Sequence, residues 1–523
     1  MFGFSLPPNA NVEIKEDDIP ALGRLRATIN VAEGYSVVKT LLTDDGNLFV
    51  LLRKSGALDT IWWHKRNPDD TYSLYLDVPV VTAAAGYGAI SDFDYLRASS
   101  FSGAMLAVGY PDCPKLRLND RSTAIRDASR ILGAVTVYRI VDNYGPATLI
   151  SAAHDATVSN IGGGIDAFVD VCLLNNLLSY CNLSDAKIGY TVKFLVLNST
   201  AEATRVYVAT GMPYKRYFST LSGGVTCFEV NSSGELQYFH DTSNTFIVGF
   251  NDGAITGVIG TGLIMGDPNS LYPVTWRSSA SNMGLHLSTN ATMDTSSTDT
   301  LFLATSGTSN AVAVNFSSAN NTGTGYGYEF ISMPPPGVAS NVCVSSNYLA
   351  VANTTYSGTT QPTIIHVYSW NGTAWGALQT FGPPYDSPST FGNFAASMTM
   401  SKDGGLLLVA EPNRHTYGNE GKTSIRYLQA GGVHVYEKVS TYGADGNPYW
   451  YVYVQTVYPK VMANNMKFGS TFSVAPSSTK LDSAAAANNV SPSVNVLAVV
   501  GSSPTEVSIF TAGGFNGHVA NDD

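Results

Sequence analysis

Apolar positions along this chain fall into two recurring kinds of run. The first is apolar at successive positions and closes on small residues, often with proline. The second follows a variable loop and alternates in the form Gly-x-Val-x-Val-Tyr. MLAVGYP from Met105 is answered by GAVTVYRI from Gly133, VYVATGMP from Val206 by GGVTCFEV from Gly223, and LLLVAEP from Leu406 by GGVHVYEK from Gly431. Weaker copies are LFVLL from Leu48 with TIWWHK, LFLATS from Leu301 with AVAVNF, YLAVAN from Tyr348 with IIHVYSW, and VLAVVG from Val496 with EVSIF. The phrase therefore occurs about seven times.

A run that is apolar at every position suits a strand covered on both faces. An alternating run suits a strand with one face covered, because successive side chains point to opposite sides. Glycine, aspartate and asparagine punctuate between them, as at Asp44-Asp45-Gly46-Asn47. A unit of 20–50 residues repeated this way reads as radial repetition of small sheets, which also hides their edges. The expectation is an all-β chain, a β-propeller of about seven four-stranded blades with long inter-strand loops. Copies start 47 to 101 residues apart, so some intervals hold extra chain. Residues 231–300 match poorly and are expected to be an insertion or a degenerate blade. The organisation expected is an N-terminal arm over 1–40, the propeller over 41–511 and a C-terminal tail over 512–523.

Two copies extend backwards, with FGNFAASMTM from Phe391 and FGSTFSVAPS from Phe468. There the chain resembles the FG-GAP repeat of integrin-alpha-type propellers, most fully between about Phe391 and Phe510. That family often carries an Asp-rich calcium loop between its first two strands. The equivalent turn here, Ser401-Lys402-Asp403-Gly404-Gly405, has one carboxylate. A hard cation wants several oxygens, so the turn argues against calcium and no cofactor is expected. Asp92 and Asp94 form an Asp-x-Asp pair, read as alternate strand residues facing solvent.

Composition narrows the function. Of 523 residues only 13% are charged, and the net charge is −11. Such a chain is not expected to bind nucleic acid, which calls for a basic face. No apolar run is long enough to span a bilayer, so no membrane insertion is expected. The first residues show no leader pattern, from which folding in a cytoplasm is expected. Five cysteines without a CxxC pair argue against a disulfide framework.

In propellers of the resembling kind, the loop joining the two core strands projects from one face in every blade. Three such loops here carry basic and aromatic residues. They are 111–132 with Lys115, Arg117 and Arg121, 212–222 with Tyr214, Lys215, Arg216 and Tyr217, and 411–430 with Arg414, His415 and Tyr417. Arginine and aromatic side chains concentrate binding energy, so these are the candidate ligand or partner contacts. The plainer reading is solvated loops whose charges are partly neutralised by Asp112, Asp120 and Asp127. No His-Glu-x-x-His, Gly-x-Ser-x-Gly or phosphate-cradling loop occurs, so no catalytic or metal residue is named. His366 and His434 occupy the same repeat position, which structural repetition explains. Low charge, Ser/Thr/Asn/Gly richness and the arm favour a non-enzymatic virion component, such as a phage tail or vertex protein. It would bind its own or other virion subunits, or a host glycan or receptor. The rivals are an extracellular or cell-surface adhesin or lectin, and a hydrolase or lyase on a propeller scaffold.

Overall fold

The computed structural model describes residues 24–43, 46–67, 71–78, 88–97, 104–113, 133–141, 148–150, 156–157, 181–182, 187–198, 205–211, 213–214, 216–217, 220–221, 225–230, 236–237, 247–248, 284–289, 292–294, 301–306, 311–316, 327–331, 337–345, 347–355, 363–384, 393–401, 404–420, 423–440, 449–459, 462–474, 494–500 and 506–513. Among them every regular element is a strand. The fold is all-β, in a β-propeller arrangement of antiparallel meanders.

Sheet A runs Tyr35–Leu42, Leu48–Lys54, Thr60–Arg66, Tyr72–Val78. Sheet B runs Asp92–Arg97, Ala104–Tyr110, Ala134–Val141, with two short strands on the last. Sheet C runs Val192–Asn198, Arg205–Gly211, Val225–Val230, again with short additions, and Thr292–Asp294 lies parallel on its first strand. Sheet D runs His286–Thr289, Leu301–Ser306, Ala311–Phe316, Gly327–Ile331. Sheet E runs Gly337–Ser345, Tyr348–Thr355, Ile364–Trp370, Trp375–Phe381. Sheet F runs Met398–Met400, Leu406–Ala410, Val433–Ser440, Tyr449–Val457. Sheet G runs Thr471–Val474, Val494–Val500, Glu506–Gly513, and its fourth strand is Arg24–Asn30 from the other end of the chain.

The two kinds of apolar run become the second and third strands. Ala104–Tyr110 and Leu406–Ala410 are buried at every position. Ile364–Trp370 begins with alternating burial. The core lies between successive sheets. Phe49, Leu51 and Trp63 of sheet A pack on Phe93, Leu106 and Val108 of sheet B. Leu408 and Val435 of sheet F pack on Phe472 and Phe510 of sheet G, and Ile29 and Val507 of sheet G on Leu48 and Val50 of sheet A. Burying such side chains contributes about 1.5–3 kcal/mol each.

The first strands also touch one another in a closed circuit. Tyr35–Leu42 meets Asp92–Arg97, which meets Val192–Asn198, then His286–Thr289, Gly337–Ser345, Met398–Met400 and Thr471–Val474, which returns to Tyr35–Leu42.

The glycine that opens the Gly-x-Val-x-Val run has a specific task. Gly133 and Gly431 form parallel bridges to Ile188 and Phe468, which stand just before the first strand of the next sheet. Both glycines have positive φ, at 90° and 83°. A Cβ on Gly431 would lie 2.3 Å from the Phe468 carbonyl oxygen, and one on Gly133 would lie 2.1 Å from that of Ile188. The Phe-Gly at 468 and the Gly at 431 are thus two halves of one contact between neighbouring sheets.

Two stretches differ from the sequence expectation. Residues 24–30, within the expected arm, form a strand of sheet G. The 231–300 stretch supplies the first strand of sheet D and short additions to sheet C.

Candidate functional site at the channel and its rim

The first strands enclose a cavity of about 900 Å³, lined among the described residues by each of sheets A to G. Its charged groups gather where sheets A to D meet: Lys39, Asp92, Asp94, Lys193 and His286, with Arg97 exposed at the end of the sheet B strand. Asp92 and Asp94 are only 7% and 9% exposed, so they do not face bulk solvent as the sequence reading supposed. Their alternation points them at the cavity and at the neighbouring first strand. Asp92 accepts from the backbone N–H groups of Phe93 and Val192, at 2.9 and 2.8 Å, and from Lys39. Lys39 also donates to the Phe93 carbonyl at 3.0 Å. Asp94 accepts from Phe194 N–H at 2.8 Å and pairs with Lys193 at 3.4 Å. Two carboxylates therefore tie sheet B to sheet A on one side and to sheet C on the other.

Burial pulls the Lys39 ammonium below its ordinary pKa in spite of Asp92. Burial also acts on Lys193, but Asp94 and Asp92 outweigh it and its pKa rises. Burial holds the His286 imidazolium down at a pKa of about 4, against a smaller pull from Asp92. The ring is therefore neutral at physiological pH.

Hydroxyls and amides continue the same stitching round the circuit. Val344 N–H donates to Ser288 Oγ at 2.9 Å, Asn341 Nδ2 to the Ala396 carbonyl at 3.1 Å, and Ser473 Oγ to Thr40 Oγ1 at 3.2 Å.

The rim holds the residues singled out from the sequence. Lys115, Arg117, Arg121 and Lys215 lie outside the described residues. Arg216 and Tyr217 form a two-residue strand whose backbone pairs with Cys181–Asn182 and Thr220–Leu221. Tyr214 is half-buried. Its ring meets Tyr190 edge-on at 6.1 Å, and the Lys187 ammonium sits 5.0 Å from its centre. Lys187 also pairs with Asp112 at 3.2 Å. The base of the 111–132 loop and Tyr214 of the 212–222 loop are thus brought together, and Tyr190 links them to the cavity. Burial, reinforced by Tyr214, pushes the Tyr190 phenol up.

The 411–430 loop behaves differently. Arg414 turns inward, with 13% of its side chain exposed, and pairs with the fully buried Glu411 at 3.0 Å. The same Glu411 oxygen accepts from His434 Nε2 at 2.8 Å, while His434 Nδ1 meets Thr456 at 2.7 Å. Burial pulls the His434 pKa down against Glu411. His415 Nδ1 accepts from Gln429 N–H at 2.9 Å, closing the base of the loop. Tyr417 lies in a hairpin, its backbone opposite Arg426. His366 repeats the His434 arrangement, meeting Thr380 at 3.1 Å and Asn353 at 3.3 Å. Glu411 was not singled out from the sequence. Its position at the end of an apolar second strand is the signal, because a buried carboxylate requires a partner. Among the described residues, no group of three or more His, Cys, Asp or Glu is placed to hold a metal.

No protein-family model matches the sequence, and no curated protein matches it. Solved structures similar in shape include the β-propeller domain of Cps50 (Swd1) from Myceliophteria thermophila, at 9% identity and a TM-score of 0.42. That comparison covers 92% of this chain and 99% of that one. The Dos1 propeller is similar at 10% identity and a TM-score of 0.36, covering 94% and 95%. The Penicillium chrysogenum alpha-L-arabinanase complexed with arabinobiose is similar at 11% identity and a TM-score of 0.35, covering 74% and 93%. The fold rests on this chain's own sheets and their circuit.

Proposed function

We propose that this chain is a seven-bladed, FG-GAP-like propeller acting as a non-enzymatic binding scaffold. Its role is that of a virion structural or attachment protein, such as a phage tail or vertex component. The closed circuit of seven first strands carries this reading. Each sheet that contributes to it is one blade, and Arg24–Asn30 completes the last blade. The channel carboxylates are engaged in inter-blade bonds, which suits a scaffold better than a pair freed for acid and base work. Low charge and Ser/Thr/Asn/Gly richness suit a surface covered by sister subunits or a host receptor.

The test is the native mass of the purified chain by light scattering, with imaging of the same sample. A stable oligomer, or a complex with particle proteins, is expected. A clean monomer that captures no particle protein overturns the virion role. It would shift weight to an extracellular or cell-surface adhesin, which the Tyr190–Tyr214 pair beside the cavity favours.

A further inference from the structure

Two lysines, two aspartates and a neutral histidine line the channel where sheets A to D meet. Their hydrogen bonds leave capacity over. Lys39 spends two of its three ammonium protons, on Asp92 and on the Phe93 carbonyl. Lys193 spends one, on Asp94. Each carboxylate oxygen has about two lone-pair positions. Asp92 Oδ2 serves only Val192 N–H, and the two Asp94 oxygens serve one donor each. The His286 ring lines the cavity and makes no hydrogen bond among the described residues. Neutral, it offers one donor and one acceptor.

Unused donors and unused acceptors therefore meet on one wall where the charges of Lys39, Lys193, Asp92 and Asp94 offset one another, with Arg97 exposed at the end of its strand. An anion placed there meets Asp92 and Asp94, and a cation meets Lys39 and Lys193. A neutral hydroxyl fits both, accepting from an ammonium while donating to the adjacent carboxylate. Two neighbouring hydroxyls span a Lys–Asp pair. Ser288, Asn341 and Thr471 extend the same character round the lumen. The volume of about 900 Å³ lies within the usual range for small-ligand sites.

We propose that the channel between sheets A, B, C and D is a binding site for a neutral, polyhydroxylated ligand, a sugar unit of an uncharged oligosaccharide, held by Lys39, Asp94, Lys193 and His286. This site is separate from the rim loops, and it stands or falls independently of the assembly state.

The test is titration calorimetry with maltotriose, cellotriose and triacetylchitotriose as neutral probes, beside sialyllactose as an anion and spermidine as a cation. At least one neutral trisaccharide is expected to bind saturably, more tightly than either charged probe. His286→Phe, which removes both ring nitrogens from the lumen, and Lys193→Met are each expected to weaken it about tenfold or more. Leu74→Ala, exposed on the outer strand of sheet A, is expected to leave it within about twofold. Unfolding curves of each variant show whether it is folded, and His286→Phe keeps the test open if Lys193→Met is not. The proposal is overturned if no neutral probe saturates. It is equally overturned if a charged probe binds more tightly, or if folded His286→Phe and folded Lys193→Met both leave binding unchanged.

Discussion

Two glycines at sheet-to-sheet contacts and one away from any contact allow a three-way comparison. Gly56 has φ of 74° with nothing within 4 Å of a notional Cβ. Alanine there meets only the left-handed backbone penalty, about 1 kcal/mol. Gly109 has no positive φ, but its Cβ would lie 2.0 Å from the Gly189 carbonyl oxygen and 2.8 Å from Val192 Cγ2. Gly431 has both problems, with φ of 83° and a Cβ 2.3 Å from the Phe468 oxygen and 2.4 Å from its nitrogen. Relieving that clash means moving sheet G's entry strand away by about 1 Å, since real Cβ contacts below 3.0 Å essentially never occur. The move strains two backbone bonds, Phe468 N–H to the Ala430 carbonyl and Lys467 N–H to that of Gln429, both 2.8 Å. At about 1 kcal/mol each, plus lost packing, Gly431→Ala costs about 3–4 kcal/mol. Gly109→Ala costs about 2–3 kcal/mol. Urea unfolding of the three variants gives the comparison. Gly56→Ala should be mildest and Gly431→Ala worst. If all three fall within about 0.5 kcal/mol, the close approach between sheets is not what these glycines are for.

Asp92→Ala leaves the Lys39 ammonium buried beside an empty position, and should cost about 3 kcal/mol in urea unfolding. Adding Lys39→Met should restore a good part of that, and a double variant no better than the single one would remove the ion pair from the account. His64 is 5% exposed, its Nε2 is buried with no partner among the described residues, and burial holds its pKa at about 4. A depressed folded pKa means the unfolded state takes up the proton first. The stability concerned is complete above the unfolded pKa of about 6.5 and is lost as pH falls towards 4, about 3 kcal/mol in all. His64→Phe should flatten the pH dependence of unfolding across that window while leaving stability at pH 7 equal or higher. An unchanged slope would show that His64 is already protonated in the folded state or stays neutral in the unfolded one.

Some of this architecture is legible in the residues alone. Runs such as Ala104–Tyr110 and Leu406–Ala410 are apolar at every position because both faces meet a neighbouring sheet, and that pattern survives in sequence. The glycine before Val-x-Val is legible as a repeat, but its reason, a carbonyl of the next sheet about 2 Å from where a Cβ would sit, is not. First strands are harder, because their outward face is apolar while their inward face is polar and meets the channel. Alternation at Asp92 and Asp94 marks a strand without telling a polar channel from open water. Arg414 was expected at the rim because nothing local reveals that Glu411 is buried beneath it. The strand at 24–30 was read as an arm because its partner, Glu506–Gly513, lies almost the whole chain away. Contacts of that range leave no local pattern.

The central proposal is a single ring of seven blades closed by the strand at 24–30, and electron-microscopy class averages viewed down the channel test it most directly. Seven radial lobes around one axial hole are predicted, with Thr28→Cys and Ser508→Cys, which face each other across the closing pair, forming a disulfide. Six or eight lobes, or an open arc in which those cysteines stay reduced under oxidising conditions, would contradict it.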